Sequence, residues 1–392
     1  MKKLIGVIGS GLLGRDPFDD KSWSGSSSRF FESCRRVGIL ERAFGVEVPL
    51  LMRLPLMALN FSPHRNVWRQ RFYLDVNYYE MLTKEIRRKF IPSDFSCDFL
   101  QLGGIYNIPK CVEGRSKCYL YDDGNLAQLV KSPYMPKNIS KVKVKRALLY
   151  EQQVYQGMER IFTMSEYLKR SFCEDFGIDE ERITCIGCGI NLDEIPDEIV
   201  KDYEKKNILF IGRDFVRKGG DQVLRAFKVV KEKFTNARLF IIGPRELNLP
   251  RELSSGVVFL GFLSKNDPTQ GEVFRRTLQE SSLFVMPSLY EPFGIAPLEA
   301  MVNQIPCILT NGWAFPEMVR PGFNGELVEC GDTNDLPEKM LSLLSSPSRL
   351  KEMGSAGRKL VLENYTWDTV VAKLVSALQQ DVQDVAVNVA SA

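Results

Sequence analysis

The sequence predicts an α/β protein built from two doubly wound, parallel-sheet domains. Three observations carry that prediction. Short apolar runs of strand length recur along the 392 residues and alternate with longer stretches of helical periodicity. The length suits two domains of ordinary size. A polar stretch rich in Asp, Glu and Lys, from Asn191 to Lys206, separates two such alternating halves and reads as a linker. With 44% apolar and 26% charged residues, the chain has the composition of a globular protein rather than a disordered one.

In the first half, strands are predicted near Leu4–Ile8, Phe99–Leu102, Cys118–Tyr121, Ile161–Thr163 and Ile183–Ile186. Lys2-Lys3 before the first of these imitates a signal peptide. The apolar run is short, broken by glycine and followed by Arg15-Asp16-Pro17 rather than a cleavage site, so a β-strand is expected. Helices are predicted near Ser26–Val37, Val67–Phe90, Lys141–Met158 and Glu166–Asp175, the last opened by Ser165 as N-cap. In the second half, strands are predicted near Ile208–Ile211, Leu239–Ile242, Val257–Leu260, Leu283–Met286, Cys307–Leu309 and Gly325–Val328. Helices follow near Asp221–Lys233, Val273–Glu280, Pro297–Asn303, Leu336–Leu344 and Arg349–Glu363. Val223, Leu224, Phe227 and Val230 show the apolar spacing of the first of these. A final amphipathic helix is predicted over Trp367–Gln380, with a frayed tail from Asp381. The domains are therefore drawn as 1–195, 196–365 and a terminal helix and tail over 366–392.

No run of 18 apolar residues occurs, so no membrane-spanning helix is expected. Nine cysteines, an odd number, suggest reduced thiols in a cytoplasmic setting. Cys185-Ile186-Gly187-Cys188 is a single CxxC with no second pair, so small buried residues are expected there rather than a metal or redox site.

Chemistry concentrates in Tyr290 to Met301, YEPFGIAPLEAM. It follows the apolar strand 282–286, and Pro297 sits where a first helical turn favours it, so a helix should start near Ala296. The backbone N–H groups of 294 to 297 then form an anion site, because unpaired donors and the positive dipole end coincide. Glu291 and Glu299 flank that site as hydrogen-bond acceptors suited to sugar hydroxyls. A second block, Lys206 to Lys218, reads KNILFIGRDFVRK: a strand ending at Gly212-Arg213, then a loop to Lys218-Gly219-Gly220. Gly212 turns the backbone at the strand's carboxyl end, where open α/β sheets bind ligands. Arg213 and Lys218 there suit a diphosphate, the Arg fork planar and the Lys a point charge. Each contact is worth about 4 kcal/mol at ~4 Å in an effective dielectric of ~20, before desolvation. The plain alternatives are a first-turn glutamate, a solvated loop charge and an exposed basic loop.

The E-x7-E spacing with its internal Pro-Phe-Gly, and the GRxxxRKG block 78 residues earlier, resemble the donor site of retaining glycosyltransferase family 4. The resemblance implies the GT-B fold, two Rossmann-like domains facing a central cleft, with the last helix returning to the first domain. It also implies transfer of a sugar from a nucleoside-diphosphate sugar to a glycan, lipid-linked or small-molecule acceptor. By that resemblance Glu291 binds hydroxyls of the transferred sugar, Phe293, Gly294 and Ile295 lie against its phosphates, and Glu299 binds the ribose. Arg213 and Lys218 stabilise the leaving diphosphate, Gly261 ends a strand at a loop facing the base, and no metal or other cofactor is required.

Other classes are weighed against it. Gly9-Ser10-Gly11-Leu12-Leu13-Gly14 matches the dinucleotide fingerprint of an NAD-dependent dehydrogenase, but Arg15-Asp16-Pro17 interrupts the helix which that motif needs. Gly11 and Gly25 remain candidates for approach to the donor phosphates. A sugar-nucleotide epimerase would share the fold. The family's first-domain histidine is missing, since the single histidine, His64, lies in the wrong loop. Tyr121-Asp122-Asp123-Gly124 occupies the matching loop, where Asp123 is preferred to Asp122 as a sugar or charge contact, or the pair simply makes a turn.

Residues 1–150 hold 25 Lys or Arg against 14 Asp or Glu, a net of +11, so with +3 overall the rest carries −8. Residues 53–90 mix arginines with aromatics (Trp68, Phe72, Tyr79), which offers either a face for anionic lipid or a core-packed amphipathic helix. Nucleic acid is not expected as a partner, because no recognisable module accompanies the charge.

Overall fold

The structure is a computed structural model describing residues 2–9, 16–19, 22–135, 138–192, 194–196, 199–332 and 334–390, without the side chains of 66 and 382–390. It has two compact units: one from 1–131, 135–191 and 367–392, the other from 132–134 and 192–366. Among the described residues no helix is long and apolar enough to cross a membrane.

The first unit holds β1 (Leu4–Gly9), β2 (Leu40–Val46), β3 (Asp98–Leu102), β4 (Cys118–Asp122), β5 (Arg160–Thr163) and β6 (Ile183–Cys185). They form one parallel sheet in the order β2-β1-β3-β4-β5-β6. Apart from β2 these are near-continuous apolar runs, as expected for strands covered by helices on both faces. Helix Ser26–Arg36 packs closely on β1: a Cβ at Gly6 would lie 2.4 Å from the Phe31 ring.

The second unit holds β7 (Asn207–Ile211), β8 (Arg238–Ile242), β9 (Val257–Gly261), β10 (Leu283–Met286), β11 (Cys307–Thr310) and β12 (Gly325–Val328). This sheet is also parallel, in the order β12-β11-β10-β7-β8-β9. The chain reverses direction across the sheet between β7 and β10, which pair directly through Leu283 with Ile208 and Phe284 with Leu209. A doubly wound sheet leaves its ligand crevice outside the carboxyl ends of such a strand pair. The two loops singled out in the sequence follow β7 and β10.

Two expectations need correction, and two elements went unpredicted. The single helix over 67–90 is two, Arg65–Tyr73 and Val76–Arg88. Asp75 breaks it as an N-cap, accepting a hydrogen bond from the Asn77 N–H at 3.1 Å. Burial alone would raise the Asp75 carboxyl, but hydrogen bonds from Asn60 and Lys143 hold it below its ordinary value. The tail is not frayed from Asp381: helix Trp367–Ala390 continues, and Asp381 accepts from the Arg160 Nε at 3.0 Å. The sequence reading also passed over β2, an edge strand with mostly half-exposed residues and no apolar run, and helix Leu50–Leu59. The aromatics Phe72, Tyr78 and Tyr79 are buried, and all nine cysteines are free thiols.

Candidate functional site

At the carboxyl end of β7 the chain turns at Gly212, whose N–H donates to the Ile242 carbonyl at 2.8 Å. A Cβ at Gly212 would lie 2.6 Å from Lys218 Cδ, so the glycine makes room for that side chain. Gly219, at φ +80°, precedes helix Gly220–Lys233. Its missing Cβ would fall 2.2 Å from the Pro287 carbonyl oxygen, so the β7 and β10 loops touch backbone to backbone. The Leu289 N–H donates to the Arg217 carbonyl at 2.8 Å and locks the two together.

That contact brings Glu291 to a cationic pair. Lys218 Nζ lies 2.7 Å from Glu291 Oε2, and Arg217 Nη1 lies 3.4 Å from the same oxygen. Arg217 Nη1 also donates to the Tyr290 carbonyl at 2.7 Å. Burial alone would push the Glu291 carboxyl up. The Lys218 ammonium and the Arg217 guanidinium outweigh it and hold the carboxyl below its ordinary value, so it is ionised at neutral pH. Arg213 goes elsewhere: it is exposed, with its guanidinium 5.3 Å from the centre of the Phe262 ring. Arg217, quoted within GRxxxRKG but not singled out, is the arginine that reaches Glu291.

Past Glu291 the chain passes Gly294 at φ +92°, where a Cβ would meet the Phe315 ring at 2.7 Å, and enters helix Ile295–Val302. No side chain caps that helix, so the N–H groups of Ile295 and Ala296 stand at its open N-terminus. Phe293 is buried with its ring tilted 6.3 Å from that of Tyr365, and Ile295 is half-buried. Glu299 is buried one turn into the helix and paired with Lys265, a partner the sequence reading missed. Lys265 sits four residues after Gly261, which takes φ +69° at the end of β9. The Tyr290 ring stacks on Tyr134 at 6.4 Å and meets Trp313 edge-on at 5.4 Å. Trp313 holds φ +59°, a strained conformation for a bulky residue. Only the fold could reveal these aromatic neighbours, because their positions in the sequence are far apart.

The other candidates belong to the first unit. Gly11 lies outside the described residues. Gly25, at φ +88°, precedes helix Ser26–Arg36, which no side chain caps, and follows Trp23 and Ser24, both also at positive φ. Asp122 ends β4, is buried, and accepts from the Asp123 N–H at 2.9 Å. Burial, then the neighbouring Asp123 and Glu151, push its carboxyl well above the ordinary range. Asp123 follows it and is half-buried. His64 is exposed before helix Arg65–Tyr73.

Glu151, buried, accepts from the Leu126 N–H at 3.1 Å, and burial pushes its carboxyl up to about 7 from 4.5. The folded state therefore holds this proton after the unfolded chain has lost it. The cost to stability grows as pH rises from about 4.5 through about 7, reaching about 3 kcal/mol above that. Glu151→Gln keeps an acceptor for Leu126 and is expected to flatten that part of the stability–pH curve in denaturant melts. Identical curves for the two proteins would contradict it.

Two doubly wound parallel sheets define an α/β protein of the GT-B fold, and the switch point of the second carries an uncapped helix N-terminus, a lysine and two buried carboxylates. Residues 192–360 match the family model described as "Glycosyl transferases group 1", in line with the family 4 resemblance. An uncharacterized glycosyltransferase of Methanocaldococcus jannaschii is 28% identical over 237 residues, 55% of this chain and 59% of the relative. The MMP alpha-(1->4)-mannosyltransferase of Mycolicibacterium hassiacum is 24% identical, covering 60% and 57%. A GDP-mannose-dependent monoacylated alpha-(1-6)-phosphatidylinositol monomannoside mannosyltransferase of Corynebacterium glutamicum is 31% identical over 42% and 45%. The matched regions thus span only about half the length of these relatives. The solved sucrose-phosphate synthase of Thermosynechococcus elongatus has the same fold, with TM-score 0.72, 14% identity, and 98% and 100% coverage. The glycosyltransferase WaaG also shares it, at 0.63, 14%, and 95% and 98%. Neither the dehydrogenase nor the epimerase finds support in these comparisons.

Proposed function

We propose that this protein is a retaining glycosyltransferase that moves a hexose from a nucleoside-diphosphate sugar to a glycan, lipid-linked or small-molecule acceptor. One observation carries the reading: an ionised, buried Glu291 clamped by Lys218 and Arg217 beside an uncapped helix N-terminus, at the switch point of the second sheet. Glu291 accepts hydrogen bonds from the sugar hydroxyls and Glu299 from the ribose, once Lys265 yields or shares its carboxylate. Lys218 and the amides of Ile295 and Ala296 face the diphosphate, and Arg213 joins them by swinging away from Phe262.

The bond between the anomeric carbon and the diphosphate oxygen breaks, and the acceptor oxygen bonds to that carbon on the same face. The acceptor's proton passes to the departing diphosphate. The fixed donors favour this step because the charge they meet develops in the transition state, where preorganised dipoles need no rearrangement. Asp123 is assigned, in place of the missing histidine, to a sugar contact. Side chains and amides neutralise the charge in this reading, with no metal. The mannosyltransferase relatives, one of them named for GDP-mannose and a phosphatidylinositol monomannoside, support a hexose donor and a lipid-linked acceptor. The setting is cytoplasmic, at the inner face of a membrane contacted through residues 53–90.

A panel of nucleotide sugars, screened by thermal shift in the presence of EDTA, tests the reading. One base is expected to stabilise the protein by about 2.7 kcal/mol at a hundredfold excess over its Kd, and that sugar to be transferred when radiolabelled. Stabilisation by none, or donor consumption yielding only an isomer, would remove it.

A further inference from the structure

Helix Leu50–Leu59 is built the wrong way round for a surface helix. Its buried contact is Leu56, with Met52 and Met57 partly covered and Arg53 tied back to Glu47 at 2.7 Å. Its exposed face consists of Leu50, Leu51, Leu54, Pro55, Ala58 and Leu59, with no charged or polar side chain among them. Leu51 is 80% exposed, Leu59 76%, Leu50 56% and Leu54 48%, and Phe61 just beyond the helix is 65% exposed. Large apolar side chains left in water so densely mark a binding surface.

The surroundings say what covers it. Residues 48–74 contain four arginines and no Asp or Glu, and residues 124–150 contain six Lys or Arg and again none. The fold joins these two acid-free stretches. Lys143 Nζ donates to the Asn60 side chain and to the Arg71 carbonyl at 2.9 Å, and Arg71 Nη2 donates to the Asn138 carbonyl at 3.3 Å. Between them lies a pocket of about 380 Å³ lined by Leu59, Arg71, Val142, Lys143 and Arg146. Asp75 is the one acid lining it, and it is spent on Lys143 at 2.9 Å. Arg71 and Arg146 pair with no carboxylate among the described residues. On helix Lys141–Gln156, Val142, Lys145, Arg146 and Leu149 form a second exposed face, apolar and basic at helical spacing.

From this placement we infer that helix Leu50–Leu59 inserts its leucine face into an anionic lipid bilayer while Arg71 and Arg146 receive a lipid phosphate in the adjoining pocket. Apolar burial and phosphate neutralisation together are the two signals that stable interfacial binding needs. The proposal deepens the membrane contact of the preceding section and rests on that reading only in placing an acceptor at the bilayer. It also narrows the contact, because Trp68 donates to the Met57 carbonyl at 2.9 Å and Phe72 and Tyr79 are buried, so the leucines carry the insertion.

The test is co-sedimentation of the full chain with vesicles of phosphatidylcholine alone or with one-third phosphatidylglycerol. At least tenfold tighter binding to the anionic vesicles is expected. Leu51→Glu/Leu54→Glu and, separately, Arg71→Glu/Arg146→Glu should each lower it tenfold or more; Leu51→Ser/Leu54→Ser guards against misfolding by the charged pair. Equal binding to both vesicles, or ridge variants that bind like the parent, would overturn the proposal. So would a dimer that the ridge variants dissociate while vesicle binding persists, since a second copy would then be the occupant. Nucleotide stabilisation, read on the same variants, should stay unchanged, which separates failure here from failure of the donor site.

Discussion

Glu291→Ala is expected to reduce sugar transfer by about a hundredfold to a thousandfold, the loss typical of removing one preorganised charge or hydrogen-bond partner from a reacting centre. The carboxylate is buried and ionised only because Lys218 and Arg217 hold it so. Removing it frees Lys218 from its 2.7 Å partner, so the cation is left largely buried and uncompensated. Breaking one side of a buried pair costs up to about 3–5 kcal/mol, which a chain of this size can bear while remaining folded. Glu291→Gln keeps the volume and one acceptor oxygen, and should lose transfer with less loss of stability. Circular dichroism and thermal melting establish that the fold survives. Near-normal turnover by a folded Glu291→Ala would take this residue out of the site.

The second large effect is expected from Gly219→Ala. The substitution must meet both a φ of +80° and the Pro287 carbonyl oxygen 2.2 Å from the new Cβ. Strain alone costs about 1 kcal/mol at a positive φ. The clash adds more, because a backbone atom cannot swing aside as a side chain can, and the β10 loop must move away from the β7 loop. A loss of at least about 3 kcal/mol is expected in denaturant melts, together with weakened binding of nucleoside diphosphate. Gly322→Ala serves as the control: its φ is +77° but nothing lies within 4 Å of the new Cβ, so it carries the strain alone. Equal losses for the two variants would mean that loop contact adds nothing.

The strands that build the site in the second unit were legible because parallel strands buried on both faces are unbroken apolar runs. Ile208–Ile211 and Leu283–Met286 could be read from four residues each, and β7 and β10 contain them. The motifs were legible for the same reason, since Gly212, Glu291 and the helix start, expected near Ala296 and found at Ile295, are fixed by their distance along the chain from those strands. What the sequence could not show was pairing across the sheet. That Lys218 and Arg217 reach Glu291 while Arg213 lies over Phe262 depends on which face of a short loop each side chain leaves. Lys265 reaches Glu299 from a different strand's loop, so no local pattern announces it. β2 was missed because edge exposure dilutes its apolar content, and the break at Asp75 because helical periodicity in 65–73 and 76–88 nearly keeps phase across it. Helix Leu50–Leu59 reads as apolar in sequence, but that its apolar face is the exposed one is a property only of the fold.

The central claim is that a pyrophosphate binds at the switch point of the second sheet. The direct measurement is a crystal structure of the protein soaked in turn with UDP, GDP and ADP. The account predicts one of them with its phosphates against the Lys218 ammonium and the N–H groups of Ile295 and Ala296, and its ribose beside Glu299. Phosphates seated away from Lys218 and Glu291, whether in the first unit or on the basic surface around Arg71, would contradict it.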